Sequence, residues 1–227
     1  SGLHIPYHVD TTAESSFFAT PRRIAARITN VSDQAADKER EVLGPLASAP
    51  AEAIAGFAKK HFVSVDTLVR RPSPKGEVVA AKILQKGTSL DAVLTSVVEI
   101  VIKELPIPKM MRWGTGVVRF ARPAHGLVML HGSRIIPGTV LGIESSNRTR
   151  GHRFLSGGEI TLKHAGDYER VLREKGRVIA DFGARRAEIT KQLQKAASGA
   201  QLVASDALLD EITALVEAPS VYTGEFD

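Results

Sequence analysis

Between Lys109 and Phe154 the chain holds eight Lys or Arg residues (Lys109, Arg112, Arg119, Arg122, Arg134, Arg148, Arg150 and Arg153) against a single acid, Glu144. That stretch sums to +7 and the whole chain to +5, so everything outside it sums to −2. Basicity is local, and a polyanion is the first partner to consider. The same stretch contains the only Trp, in Met110-Met111-Arg112-Trp113-Gly114, and two dense clusters, R-F-A-R-P-A-H (Arg119–His125) and R-T-R-G-H-R-F (Arg148–Phe154). Arginine's planar fork matches phosphate oxygens or a base edge, and interleaved Trp, Phe and His offer faces on which bases stack. The candidate nucleic-acid or interface residues are Lys109, Arg112, Trp113, Arg119, Arg122, His125, Arg148, Arg150, His152 and Arg153. The competing reading places Trp113, Phe120 and Phe154 in a core, with the arginines as its solvated rim.

Catalytic constellations are absent. The chain has no G-x-x-x-x-G-K-[ST] loop, no G-x-G-x-x-G after a strand, no H-E-x-x-H and no G-x-S-x-G. Zero cysteines exclude disulfides, thiolate metal sites and a thiol nucleophile. The histidines do not pair at helical spacing with a carboxylate; His4 and His8, either side of Pro6, are a weak chelating pair, and no metal site is expected. His152, between Gly151 and Arg153, could contact a nucleotide or simply pack a loop. No apolar run reaches the length of a membrane span and no leader opens the sequence, which reads as soluble and cytoplasmic with no membrane partner.

The elements that would carry these residues are mixed. Phe17–Ile28 closes in a strand after a Thr20-Pro21 break, Gly44-Pro45 reads as a turn, and Ala51–Phe62 has helical spacing. A short helix with Ser64 as N-cap is expected next, then a loop through Pro72, Pro74 and Gly76 into a strand over Val78–Leu84. The strongest helix is Leu90–Leu105, whose wide apolar stripe predicts a place at the centre of the core. Short β segments are expected at Val117–Phe120, Leu127–Leu130, Arg134–Ile143 and Glu159–Leu162, with the basic clusters on their edges and loops. Helices are expected at Asp167–Glu174, Val178–Ala197 and Asp206–Glu217, and a strand at Val221–Thr223. The charges of this last third, the pair Arg185-Arg186 included, read as solvated helix surface. The fold class is α+β, a mixed or antiparallel sheet with packed helices and a helical C-terminal third. The expected organisation is a basic α+β core over 1–165 and a helical segment over 166–227 leading to further domains. Ser1-Gly2 resembles a cloning remnant, and the missing initial Met suggests a piece of a longer protein.

Five blocks occur in a fixed order: F-A-T-P-R-R-I-A (Phe18–Ala25), L-P-I-P-K-M-M-R-W-G (Leu105–Gly114), R-F-A-R-P-A-H (Arg119–His125), R-G-H-R-F (Arg150–Phe154) and V-I-A-D-F-x-x-R (Val178–Arg185). Together they resemble the N-terminal region of the β subunit of bacterial heterotetrameric glycyl-tRNA synthetase, over nearly the whole chain. The resemblance implies a non-catalytic partner of an α subunit that carries the class II aminoacylation core and uses ATP with magnesium. The chain alone is then expected to bind no cofactor and to be inactive. Implied partners are tRNA(Gly), the α subunit and downstream domains of the same β subunit. A distant similarity to the B3/B4 domain of the phenylalanyl-tRNA synthetase β subunit is also implied. The family's opening V-E-I-G-T-E-E-L-P type segment and its downstream modules are missing, and Gly126 replaces the bulky residue usual after the histidine at 125. Three roles stay open: tRNA binding and assembly with the α subunit, an editing-like hydrolytic module, and a purely structural scaffold.

Overall fold

The computed structural model describes residues 13–224, so His4 and His8 lie outside the described residues. The chain divides into two units, one taking residues up to Asp33 and from Asp91 onward, the other Gln34–Leu90.

The smaller unit is a three-stranded antiparallel sheet in the order β3-β5-β4, formed by β3 (Lys38–Leu46), β4 (Val69–Ser73) and β5 (Gly76–Gln85), with helix α1 (Ala51–Lys60) between β3 and β4. The central strand supplies its core: Val78, Val79, Ala80 and Ala81 are all buried. Gly44-Pro45, expected as a turn, lies inside β3, where the register shifts between Leu43 and Leu46. A bulge absorbs the dipeptide that would otherwise end the strand. The expected short helix is one 3₁₀ turn, Val65–Thr67, and the expected Pro72 loop is strand β4. β4 sits at the sheet edge, where proline's missing N–H costs no ladder bond, and Gly76 at φ 114° closes the turn that residue types with a Cβ disfavour.

In the larger unit, β1 (Ser15–Thr20) and β2 (Arg23–Ile28) form a hairpin in which Thr20 faces Arg23, so Thr20-Pro21 is its tip and not a break before a single strand. Helix α2 (Leu90–Glu104) forms where expected but not at the centre of the core: Leu90 is its one buried residue, and Ile100 and Val101 are exposed. A Cβ on Gly138 would fall on the Thr95 hydroxyl, so the irregular Pro137-Gly138 segment packs closely against this helix. The expected strand over Arg134–Ile143 is divided into pairs at Arg134–Ile135 and Thr139–Val140, before a short strand at Ile143–Ser146. Arg148–Arg150 pairs antiparallel with Glu159–Thr161.

Three helices follow: α3 (Tyr168–Glu174), α4 (Phe182–Ala197) and α5 (Asp206–Leu215). α4 starts four residues later than its periodicity predicts, because Asp181 is extended and its carboxylate accepts from the Ala184 N–H at 2.7 Å. Val178 and Ala180, freed from the helix, pack with Phe18 and Leu172. Val221–Thr223 is not a strand. The fold is α+β, with small, mainly antiparallel sheets and helices concentrated toward the C-terminus. No helix among the described residues is long and apolar enough to cross a membrane.

Candidate nucleic-acid interface

The basic residues fall into two chemical groups, those already satisfied by the protein and those that are not. Arg134 belongs to the first. Its fork takes both Asp91 carboxylate oxygens, at 2.7 and 2.8 Å, and pairs with Asp33; the Asp91 hydrogen bond is the main cause of its raised pKa. Arg148 reaches Glu159 at 3.1 Å, and Arg122 donates to the Pro21 carbonyl at 3.1 Å. Lys109, Arg112, Arg119, Arg150 and Arg153 are exposed and carry no ion pair among the described residues.

Arg112 and Arg119 face each other directly across the short antiparallel pair Met111–Arg112 and Arg119–Phe120. Like charges opposite one another on a sheet are destabilising, so this arrangement is not a stabilising one in the free protein. An anion between them would reverse the sign. Trp113 and Phe120 beside them are half-buried, and His125 is exposed on the loop that follows.

R-T-R-G-H-R-F is positioned by close backbone contacts. A Cβ at Gly151 would collide with the Gly176 backbone, and the His152 N–H donates to the Gly176 carbonyl at 2.6 Å. His152 Nδ1 then accepts from the Phe154 and Leu155 N–H groups at 3.3 and 3.2 Å, which fixes its tautomer and makes the imidazole a loop-organising group. Phe154 is not core: it is 83% exposed, with the Arg153 guanidinium 5.6 Å from its ring centre.

Residues that composition did not single out hold this loop from beneath. Arg23 donates to the carbonyls of Arg150 (2.6 Å) and Gly151 (3.2 Å) and pairs with the buried Glu217. The same Glu217 oxygen, Oε1, accepts from the Thr20 hydroxyl at 2.6 Å. Burial is the main reason that Tyr168, close by, has its phenol pushed up; the positive charge of Arg23 opposes this and Glu217 adds to it. A cavity of about 220 Å³ opens between the loop and the end of α5, with Arg22, His152, Arg153, Phe154, Leu215 and Glu217 among its walls.

Arg185 is a correction. Expected as solvated surface, it is fully buried and donates to the carbonyls of Ala19, Ile179, Ala180, Asp181 and Thr213 at 2.7 to 3.4 Å. Burial lowers its pKa, with Glu217 and Asp181 in opposition. The signal was present in the sequence, since Phe182, Arg185 and Ile189 lie on one helical stripe. Arg186, its neighbour, reaches across to Asp206 and Asp210 of α5, at 2.6 Å each.

The blocks F-A-T-P-R-R-I-A, R-G-H-R-F and V-I-A-D-F-x-x-R thus meet at one place, joined by Arg23, Arg185 and Glu217. Over residues 8–227 the chain matches the family described as glycyl-tRNA synthetase beta subunit. The chain belongs to that family. It is 41% identical over 234 residues to the glycine–tRNA ligase beta subunit of Neisseria meningitidis serogroup C, covering 100% of this chain and 34% of that protein. It is 42% identical to the corresponding subunit of Serratia proteamaculans, over 94% of this chain and 32% of that one. The same subunit of Cronobacter sakazakii is 40% identical over 93% of this chain. The chain spans about a third of the length of these relatives. Among the described residues no group of three or more His, Asp or Glu side chains is placed to hold a metal ion.

Proposed function

We propose that this chain is the tRNA-contacting part of a glycine–tRNA ligase β subunit, working beside an α subunit that activates glycine with ATP and magnesium. The observation that carries the reading is the Arg112–Arg119 pair, two exposed cations without an ion pair among the described residues, held opposite each other at a cost to the sheet. Lys109, Arg150 and Arg153 extend the set of cations available to phosphates. Base-reading geometry is sparse on these elements, so contacts to the RNA backbone dominate and position the tRNA without specifying it. Recognition of glycine, and the chemistry itself, belong to the α subunit.

The editing-like alternative needs a water-activating group in a pocket. His152 Nδ1 accepts from two backbone N–H groups and Glu217 Oε1 from Arg23 and Thr20, so the histidine and the carboxylate that line the cavity both hold the loop in place. Scaffolding is the work of a different set of residues, Arg23, Arg185 and Arg134, whose guanidinium groups are consumed within the protein.

Titration of tRNA against this chain tests the reading. With three to five phosphate contacts, affinity should fall roughly 40- to 500-fold between about 50 and 200 mM salt. Affinity that is flat with salt, or absent at the lower salt, would favour a scaffold.

A further inference from the structure

The hairpin of β1 and β2 turns its more apolar side to solvent. Directly opposed residues share a face, so Ser15, Phe17 and Ala19 lie with Ile28, Ala26 and Ile24 on one side, and Ser16, Phe18 and Thr20 with Arg27, Ala25 and Arg23 on the other. The second side packs inward: Phe18 is buried with Leu172, Val178 and Ala180, and Ala25 and Tyr168 pack against that cluster. Its polar members are engaged within the protein, Thr20 and Arg23 on Glu217 and Arg27 on the Ser16 hydroxyl at 3.2 Å. The outward side carries no charge, yet Phe17 is 71% exposed, Ile24 67% and Ile28 48%, with Ala19 and Ala26 exposed beside them. An antiparallel sheet that meets water on one face puts polar residues there and apolar ones inward. Here the alternation is reversed, and a contiguous apolar face of this kind marks a contact surface.

Charge and area say what covers it. With no cation on it, the face offers nothing to a phosphate backbone, so RNA is not its occupant. Strands of six residues, rising about 3.3 Å per residue and spaced about 4.8 Å apart, present a face of about 20 by 10 Å. That is roughly 200 Å² in plan, and even doubled for side-chain relief it falls short of the roughly 800 Å² per partner that holds two separate chains together. An α subunit or a second copy would need most of its contact elsewhere. Within one polypeptide that threshold disappears, because a short tether supplies an effective concentration in the millimolar range. The chain covers 34% of the length of a relative, so about two-thirds of such a subunit has no counterpart here.

We propose that the outward face of the β1–β2 hairpin is an internal interface of the β subunit, covered by an uncharged apolar surface from the part of the same polypeptide that this chain does not include. The hairpin then lies between two neighbours, the core cluster around Leu172 beneath it and another part of the subunit above. The inference stands apart from RNA binding and rests on the chain being one part of a longer β subunit.

The chain has no cysteine, so an introduced thiol can report on the face. Ala26→Cys, at its centre, and Ile24→Cys, nearer the tip, are made in the 227-residue chain and in the full-length β subunit. Alkylation by N-ethylmaleimide is followed at the peptide that carries the new thiol, with the urea-denatured protein as the reference rate. In the chain alone both thiols should react close to the reference rate. In the full-length subunit they should react roughly tenfold or more slowly, because reaction then waits on local opening. Adding the α subunit or tRNA should change neither rate. If Ile24→Cys folds poorly, Ala26→Cys, which adds a single sulfur atom, still reads the face. Equal rates in the chain and in the full-length subunit overturn the proposal. Protection that appears only with the α subunit gives the face to that partner, protection that appears only with tRNA gives it to RNA, and either overturns the proposal too. So does protection already present in the chain alone, which assigns the face to a second copy if it grows with protein concentration and to this chain's own residues if it does not. Loss of the tRNA-binding reading leaves the expected rates as they are, so the two fail separately.

Discussion

Arg185 has no carboxylate within ion-pair distance among the described residues, yet its side chain is fully buried. Backbone carbonyls from the β1 strand, from the extended segment before α4 and from α5 stand in for the missing counter-ion, since each presents the negative end of a peptide dipole to the guanidinium. A lysine would keep the charge but could not fork to acceptors on three separate segments. Arg185→Lys should thus lower the unfolding free energy of the chain by on the order of 3 kcal/mol, because it strands buried acceptors. Urea denaturation measures it, and a loss below about 1 kcal/mol would mean that water or a repacked lysine replaces the fork. Arg153 contrasts with it: the residue type is the same, but the side chain lies over an exposed ring and meets no carbonyl or carboxylate among the described residues. Residue type and local charge marked Arg153 as a candidate in the sequence, and the structure places it at an exposed position. They misplaced Arg185, because burial depends on which stripe of α4 meets the β1 strand, a tertiary fact that charge counting does not contain.

Among the elements, α4 and α5 show how short-range chemistry sets the position of long-range packing. Asp181 caps α4 and Ser205 caps α5, accepting from Leu208 N–H at 3.2 Å. The α4 cap decides where Val178 and Ala180 leave the helix to enter the core. Asp181→Ala should cost about 1 kcal/mol in the same denaturation assay, the usual loss for a helix N-cap. Arg186→Ala, which removes the exposed bridges to Asp206 and Asp210, should cost less, about 0 to 1 kcal/mol. The reverse order would show that the α4–α5 bridge, and not the cap, governs this region. The five α-helices were readable from periodicity, although the helix expected after Ser64 is only a 3₁₀ turn, and the start of α4 was not readable, since Val178 and Ile179 continue the apolar period and only the Asp181 cap breaks it. α2 failed in the other direction: its helix and apolar spacing were read correctly, but periodicity does not say how deeply the stripe will be buried, and only Leu90 is.

For the molecule as a whole, the basic stretch separates into charges that build the fold and charges that remain available. Arg134 and Arg148 are tied to carboxylates, while Lys109, Arg112, Arg119, Arg150 and Arg153 are paired with none among the described residues. The order of the sequence blocks revealed the family, but it did not distinguish these two groups, because R-F-A-R and R-T-R-G-H-R look alike until strand pairing sets Arg112 against Arg119 and places Glu159 beside Arg148. The central claim is that the available group meets tRNA in a subunit that does no chemistry of its own. Its most direct test is the enzyme assembled from α and β subunits, carrying Arg112→Ala, Arg119→Ala and Arg150→Ala together in β. The KM for tRNA should rise roughly tenfold or more, and the slope of log affinity against log salt should fall by about 0.9 for each phosphate no longer neutralised. Glycine-dependent pyrophosphate exchange should stay unchanged, and thermal stability should stay the same or rise slightly as the Arg112–Arg119 opposition is relieved. A normal KM for tRNA combined with a lower melting temperature or a poorer yield of assembled enzyme would contradict the account.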